Sequence, residues 1–493
     1  MFTTLRYVYI KPFNVICQVF FYTTYFLIYI IYPQKFLQLL QTNVIIIFKI
    51  IKFSRERFEV MGSLKKIQPI NTGLQGEILI PGDKSVSHRS VMFAGLCDSE
   101  VKITNFLHAA DCMSTVNCMR ALGVKVTEIN ETTLIVKGNG FHGLQEPQRI
   151  IDAGNSGTTL RLMMGILAGQ KFLTTFTGDA SLSRRPMGRV IKPLSQMKAN
   201  IVGRKENTLL PITIIPTKQK LQGIHYQMPM ASAQVKSAIL LAGMNADGPT
   251  TVTEPYTSRD HTERMLEGFG VPLKKSGTSI TINKVDKMIA PTEIHVPGDI
   301  SSAAFWLVAG SIIEHSDILL KNVGINETRT GIIDVLKAMG ANIELINIRN
   351  EVEPIADIRV RYAQLHGTTF GADIMPRLID EIPIITVAAM FAQGKTVITG
   401  AGELRVKETD RLQVITDEFN KVCPCIEGTN DGLIISGVEK TKLKNAICNS
   451  HDDHRIAMAL AILGASGVGL EIEHSECVNI SYPTFYEILN HFQ

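Results

Sequence analysis

The first sixty residues of this 493-residue chain contain no glycine, no alanine and no aspartate, although the whole chain has 38 glycines. At the usual glycine frequency of roughly 7%, about four would fall in a segment of that length. The segment is instead crowded with aromatic rings, since 15 of the 33 Phe, Tyr and Trp precede Met61. It carries seven Lys/Arg against two Asp/Glu, whereas residues 61–493 carry 43 against 44, so the formal charge of +4 is a property of the leader. A nearly neutral remainder without an aromatic-interleaved basic patch argues against a nucleic-acid binder. Pro12 to Gln34 is 23 residues without a charge, long enough to span a bilayer, and no small-residue cleavage site follows it. Two readings stand, a membrane anchor or residues translated ahead of a true start at Met61. The abrupt step at Met61-Gly62-Ser63 favours the second, so a membrane is a partner only if residues 1–60 belong to the protein.

Cysteine is scarce as well, eight in all and scattered. That is too few for a disulfide framework, and neither Cys423-Pro-Cys425 nor the Cys112/Cys118 pair has a CxxC partner or histidines at zinc spacing. No metal site is expected, and a thiol-reducing cytoplasmic compartment is. The chain also lacks a nucleotide-binding P-loop, a Rossmann glycine pattern and a nucleophile elbow. With 45% hydrophobic and 19% charged residues it is nonetheless a globular protein.

Internal repetition organises what remains. Ile78-Leu-Ile-Pro81-Gly82-Asp83-Lys84-Ser85 returns as Ile294-His-Val-Pro297-Gly298-Asp299-Ile300-Ser301, a shift of 216 residues and half of the 433 that follow the leader. Within each half a β-branched strand, a polar loop and a helix ending near glycine recur, as in Ile103–Gly123, Thr250–Gly270 and Ile318–Gly340. Between these lie segments that are apolar all round, such as Ser156–Ala168, Ala233–Ala242, Ser302–Ile312, Ile382–Ala392 and His454–Ala465, a pattern that predicts helices buried on every side. Each unit reads strand, buried helix, strand, amphipathic helix, strand. Three units would wrap buried helices within an outer layer of sheet and helix. Two such globes imply crossings near Asp83-Lys84 and Asp299, a division into 61–83 plus 299–493 and 84–298, and a ligand cleft between them.

The charged motifs cluster at one end of these units. Asp83 reads as the N-cap of a helix carrying Lys84, Ser85 and Arg89, an anion cradle. Asp152-Ala-Gly154-Asn155-Ser156-Gly157-Thr158-Thr159-Leu-Arg161 repeats the device, and its apolar surroundings demand an anionic partner for Arg161. Arg184-Arg185-Pro186, Ser232-Ala-Gln234 and Ser258-Arg259 add cations and hydroxyls at helix starts. In Arg405-Val-Lys407-Glu408-Thr-Asp410-Arg411, a helix would put Lys407, Glu408 and Arg411 within about 100° of one face. A carboxylate between two cations suits acid–base work once an anion neutralises them. Asp380-Glu381 opens a buried helix, and Asp453 reads as the N-cap of a helix beginning at His454-Arg455. The expected substrates are small and multiply anionic.

Together PGDKSVSHR, GNSGTTLRL, RRPMG, PMASAQVKSA, RVKETDRL and DDHRIAM resemble the 5-enolpyruvylshikimate-3-phosphate (EPSP) synthase family, in order across 61–493. The resemblance implies an α/β, two-lobed enolpyruvyl transferase fold, each lobe an inside-out α/β barrel of three β-α-β-α-β-β repeats. It also implies transfer of enolpyruvyl from phosphoenolpyruvate to shikimate 3-phosphate, with no cofactor and a monomeric enzyme. Lys84 would touch both substrates. Ser85, Arg89, Ser232, Gln234, Arg259, Asp380 and Lys407 would hold shikimate 3-phosphate, with Arg259 on its phosphate as in the PMASAQ-type class. Asn155, Gly157, Arg185, Gln234, Arg411 and Arg455 would form the phosphoenolpyruvate pocket. Asp380 would act as base, with Lys84 able to share that role, and Glu408 would protonate the methylene carbon. One departure is Asn479-Ile480-Ser481-Tyr482-Pro483, where many relatives place a lysine before Thr-Phe-Pro. The related family that uses UDP-N-acetylglucosamine places a cysteine where Ala180 stands and lacks the RVKETDR run.

Overall fold

The computed structural model describes residues 64–493; the leader, with its anchor and early-start readings, lies outside them. Five four-stranded sheets and one three-stranded sheet make up the described residues. Residues 151–215 show the repeating unit. Strand Ile151–Asp152, helix Gly157–Leu167 and strand Thr174–Thr177 are followed by helix Gly188–Gln196 and the strands Asn200–Gly203 and Leu209–Ile215. The first two strands run parallel and the last two are antiparallel, as expected when the first pair is joined by a long helical crossover and the last by a tight connection of five residues, 204–208. In the three-stranded sheet the strand Lys65–Ile67 stands where the hairpin would be, antiparallel to Leu470–Glu473.

Each unit contributes one inner helix: Lys84–Gly95, Gly157–Leu167, Ala233–Gly243, Ile300–Ile312, Ile382–Met390 and His454–Ser466. Their all-round apolarity is matched by their burial, and every residue of Ile300–Ile312 is buried. Full burial of a Val, Leu, Ile or Phe side chain contributes about 1.5–3 kcal/mol, so these helices hold the sheets around them. The single tryptophan, Trp306, lies in this layer with Nε1 donating to the Tyr482 hydroxyl at 2.9 Å.

The buried apolar residues form two separate clusters, one drawn from Ile67–Ile80 and Ile300–Leu489, the other from Val86–Val296. Two strands are exchanged between the corresponding units. Gln75–Leu79 leads into helix Lys84–Gly95 of the second cluster, yet pairs with Asp317–Gly324 of the first. Glu293–His295 leads into helix Ile300–Ile312 of the first cluster, yet pairs with Glu100–Thr104 of the second. The two passages are hydrogen-bonded to each other, Asp83 N to Pro297 O at 2.6 Å and Asp299 N to Pro81 O at 2.8 Å. Glycine is required there, because a Cβ on Gly82 would lie 1.9 Å from the Asn105 carbonyl oxygen.

Candidate active site

Both clusters contribute walls to a cavity of about 700 Å³, within the size range of small-ligand sites. Ten Lys/Arg and five Asp/Glu line it, an excess of positive charge that suits a multiply anionic ligand. The walls are built from helix starts, where free backbone N–H groups already favour anions.

On the wall from residues 84–296, Asp83 accepts from Val86 N at 2.9 Å and starts the first inner helix. Lys84 pairs with Asp111. Burial opposes the charge on both, but Asp111 keeps the Lys84 ammonium above its ordinary range and Lys84 keeps the Asp111 carboxyl below its own. Arg89 donates to Thr262 Oγ1 at 2.7 Å, to the Ser85 carbonyl at 2.9 Å and to Ser237 Oγ at 3.1 Å. All three acceptors are neutral, and burial lowers the Arg89 guanidinium to about 10. Arg161, whose surroundings call for an anionic partner, hydrogen-bonds to no carboxylate of the protein. Its partner is the Gln234 carboxamide oxygen at 2.6 Å, and Gln234 Nε2 in turn donates to Thr158 Oγ1 at 3.0 Å. Burial, with Arg185 and Arg189 nearby, lowers Arg161 to about 10 as well.

Asn155 stands behind the wall rather than in it. It precedes the cap Ser156, donates to Asp179 at 2.6 Å and accepts from Arg185 at 2.9 Å, so it aims Arg185. Gly157 lines the cavity, and a Cβ there would press within 2.7 Å of Arg161 Nη1. Ser232 caps the helix Ala233–Gly243 without a side-chain capping bond, which leaves its hydroxyl for a ligand.

The opposite wall is ionic. Arg411, 1% exposed, pairs with Asp453 at 2.7 Å, with Glu408 at 2.7 Å and with Asp380 at 3.4 Å. Asp380 also meets Lys407 at 3.4 Å and Arg259, from the other wall, at 2.5 Å. Arg455 donates to the Asp380 carbonyl at 3.1 Å and lies 3.5 Å from Glu381. Glu408 is 3.7 Å from Arg185 across the cavity. Burial alone would raise the Asp380 carboxyl, but Lys407, Arg259, Arg455 and Arg411 together hold it well below the usual carboxylate range. Glu408 is likewise held low against its burial, chiefly by Arg411 and then by His454, Arg185 and Lys407.

The convergence of Lys407, Glu408 and Arg411 does not arise from one helical face. Asp410 accepts from Gln413 N and starts the helix at Arg411, so Lys407 and Glu408 belong to the irregular run before it. The expected roles of Lys84, Ser85, Arg89, Ser232, Gln234, Arg259, Asp380, Lys407, Glu408, Arg411, Arg455, Arg185 and Gly157 fall on residues that line the cavity. The sequence reading missed Asp111, His454 and Arg329, which line it too. The pairing of His454 with Arg455 at a helix start was the only sequence signal for any of the three. None of Asn479–Pro483 reaches the cavity; Tyr482 is buried against Trp306 instead. Among the described residues no cluster of three or more His, Cys, Asp or Glu could hold a metal ion, and no helix is long and apolar enough to cross a membrane.

The architecture is that of the two-lobed enolpyruvyl transferases. The enolpyruvyl transferase NikO of Streptomyces tendae superimposes with a TM-score of 0.69 at 17% identity, covering 87% of this chain and 98% of that one, a likeness of fold. The EPSP synthase of Acinetobacter baumannii matches with a TM-score of 0.78 and 45% identity over 87% of this chain and 98% of its own. The family model for EPSP synthase (3-phosphoshikimate 1-carboxyvinyltransferase) matches residues 69–489. The 3-phosphoshikimate 1-carboxyvinyltransferase of Bacillus cereus (strain G9842) is 52% identical over 428 residues, 86% of this chain and 98% of that protein. That of Bacillus thuringiensis (strain Al Hakam) is 52% identical over 426 residues, with the same coverage. The chain belongs to the EPSP synthase family.

Proposed function

We propose that this chain transfers the enolpyruvyl group of phosphoenolpyruvate to the 5-hydroxyl of shikimate 3-phosphate and releases phosphate, a step toward chorismate and the aromatic amino acids. The observation that carries the reading is one cavity in which Asp380 and Glu408 are set among cations from both walls, in a chain of this family. Ser85, Arg89, Ser232, Gln234, Arg259 and Lys407 hold shikimate 3-phosphate, with its 5-hydroxyl toward Asp380. Arg185, Arg411 and Arg455 clamp the phosphate and carboxylate of phosphoenolpyruvate beside Gly157, with Asn155 aiming Arg185, and Lys84 touches both substrates.

The 5-hydroxyl oxygen bonds to C2 of phosphoenolpyruvate while Glu408 delivers a proton to C3, giving a tetrahedral adduct. Asp380 takes the hydroxyl proton; the Lys84 ammonium, which Asp111 keeps above its ordinary range, holds its own proton and stays a cation beside both substrates. Loss of a proton from C3 then expels phosphate and restores the carbon–carbon double bond in the product enol ether. In the ligand-free protein both carboxyls are held below their ordinary range. Two bound anions offset the surrounding cations, so each carboxyl gains proton affinity only in the ternary complex. The cations, fixed in a site closed to water, stabilise the charge that develops. Residues 61–83 with 299–493 form one lobe and residues 84–298 the other, and their closure assembles the site. The reading places the enzyme in the cytoplasm, where the seven free cysteines of the described residues stay reduced. A monomer suffices, because one chain supplies both walls.

The deciding experiment incubates the full chain with phosphoenolpyruvate, with and without shikimate 3-phosphate, and follows phosphate. Release is expected only with both substrates; release indifferent to shikimate 3-phosphate would refute the reading.

A further inference from the structure

Arg329 belongs to none of the charged motifs above and has no part in the proposed chemistry, yet it is only 2% exposed. It lies in the loop between strand Asp317–Gly324 and helix Gly331–Ala338, directly beneath the two passages of the chain between the clusters. Each passage ends in an aspartate that caps an inner helix, Asp83 through Val86 N and Asp299 through Ser301 N. Two such carboxylates side by side repel, and a single guanidinium spans them. Arg329 Nη1 donates to Asp83 at 3.2 Å, and Nη2 donates to Asp299 at 3.1 Å and to Ser301 Oγ at 2.7 Å. A planar fork makes these bonds from two separate nitrogens in a fixed geometry, which a single ammonium nitrogen does not reproduce.

The same guanidinium reaches the other half of the molecule. Arg329 Nη1 lies 3.1 Å from His261 Nε2. A guanidinium can only donate, so His261 Nε2 accepts and its proton sits on Nδ1, facing Glu353 at 2.8 Å. Beside it, Asp260 accepts from Asn326 at 2.7 Å and from Thr328 at 3.2 Å. The loop that carries Arg329 is thereby fastened to the start of helix His261–Gly268. The proposed ligand cations stand one residue away on either side. Arg259 precedes Asp260, and the backbone N–H of Lys84, next to Asp83, donates to Asp299 Oδ2 at 3.3 Å. Uncharged caps would have started both helices equally well, and a buried ion pair is in itself weak support for stability. What the arrangement supplies is a fixed geometry between the two halves.

We infer that Arg329 is a positioning residue: by bridging Asp83 and Asp299 and docking on His261, it sets the relation of Lys84 and Arg259 to the Asp380, Glu408 and Arg411 wall, and so governs turnover rather than affinity for shikimate 3-phosphate. The inference rests on the activity proposed above. The affinity is spared because most of the residues assigned to that ligand belong to one wall.

Two variants of the full chain test it. Arg329→Lys keeps a buried positive charge and loses the fork; Arg329→Gln loses both. Phosphate release is expected to slow about 10-fold in the first and about 100-fold in the second, while the calorimetric Kd for shikimate 3-phosphate moves less than about threefold. Hydrogen exchange at the capped amides of Val86 and Ser301 is expected to speed about tenfold in Arg329→Lys, with the Thr159 amide, capped by Ser156, unchanged. Turnover within twofold of the unaltered chain overturns the inference, as does a Kd that weakens in step with kcat, which would make Arg329 a ligand contact. Should Arg329→Gln fail to fold, Arg329→Lys decides alone. An unaltered chain without substrate-dependent phosphate release would refute the proposed activity; unchanged exchange at Val86 and Ser301 would refute the bridge by itself.

Discussion

In the wall supplied by residues 84–296, buried arginines hang from hydroxyls, carbonyls and carboxamides; in the wall that includes residues 375–455 they are pinned to carboxylates. Arg89 and Arg161 find only neutral acceptors and are lowered to about 10 by burial. Arg411, 1% exposed, is raised instead, since Asp453, Glu408 and Asp380 outweigh its desolvation. At neutral pH all three are charged, but the first two hydrogen-bond to no carboxylate. The difference separates two tasks. A cation held by neutral groups keeps its attraction for a phosphate, whereas a cation paired with a carboxylate makes that carboxylate's proton affinity depend on what else is bound. Lys84 pairs with a carboxylate of its own wall, Asp111, while Arg185, Arg189 and Arg259 reach carboxylates across the cavity; Lys84 is the cation assigned to both substrates.

The sharpest way to break this comparison is Glu408→Gln, which removes a proton donor and leaves the hydrogen bonds of Arg89 and Arg161 in place. Turnover is expected to fall about 10³-fold with the calorimetric Kd for shikimate 3-phosphate within about threefold; equal losses in both would merge the two tasks. Arg89→Gln probes the opposite wall. Loss of one charge-assisted contact should weaken shikimate 3-phosphate about 100-fold, or about 2.7 kcal/mol, measured by the same titration, with a much smaller change in saturated turnover. Gln234→Glu would convert the neutral wall into an ionic one by giving Arg161 a carboxylate. The KM for phosphoenolpyruvate is expected to rise about tenfold; an unchanged value would mean that the neutrality of the partner is immaterial.

A last effect concerns stability rather than ligands and is shared by both walls. Burial lowers His88 from 6.5 to about 3 and His454 from 6.5 to about 4, so both are neutral in the fold while the unfolded chain takes up protons below pH 6.5. Their contribution is therefore fully present above pH 6.5 and lost as pH falls toward 4, at up to about 1.4 kcal/mol per pH unit for each. Denaturant titrations between pH 6.5 and 4.5 should show a shallower loss for His88→Gln than for the unaltered chain; identical slopes would mean that His88 is charged in the fold.

Much of this was legible in the chain. The return of Pro-Gly-Asp after 216 residues marked both passages between the clusters, and apolarity on every face marked the inner helices. Other features depend on contacts far apart in sequence. Arg329 meets Asp83 across 246 residues, and no local pattern announces a guanidinium that serves two caps. Lys407 and Glu408 were expected on a helix because their spacing permits one, yet the side chain of Asp410 captures Gln413 N and delays the start. Arg161 illustrates a third limit. Composition shows that a buried cation needs partners, but whether they are ionic or neutral is set by the fold that brings Gln234 to it.

The exchange of strands between the units also fixes an order of events during synthesis. Leu74 N bonds Ser316 Oγ across 242 residues, so the strand that follows Leu74 emerges long before its sheet exists. At about 5–20 residues per second, translation leaves roughly ten to fifty seconds in which Gln75–Leu79 has an unpaired edge, with Ile78 and Ile80 outside any core. The cluster from Val86 to Val296 needs nothing later than its own last strand and can close first. The lobe that holds the start of the described chain is thus the one completed last.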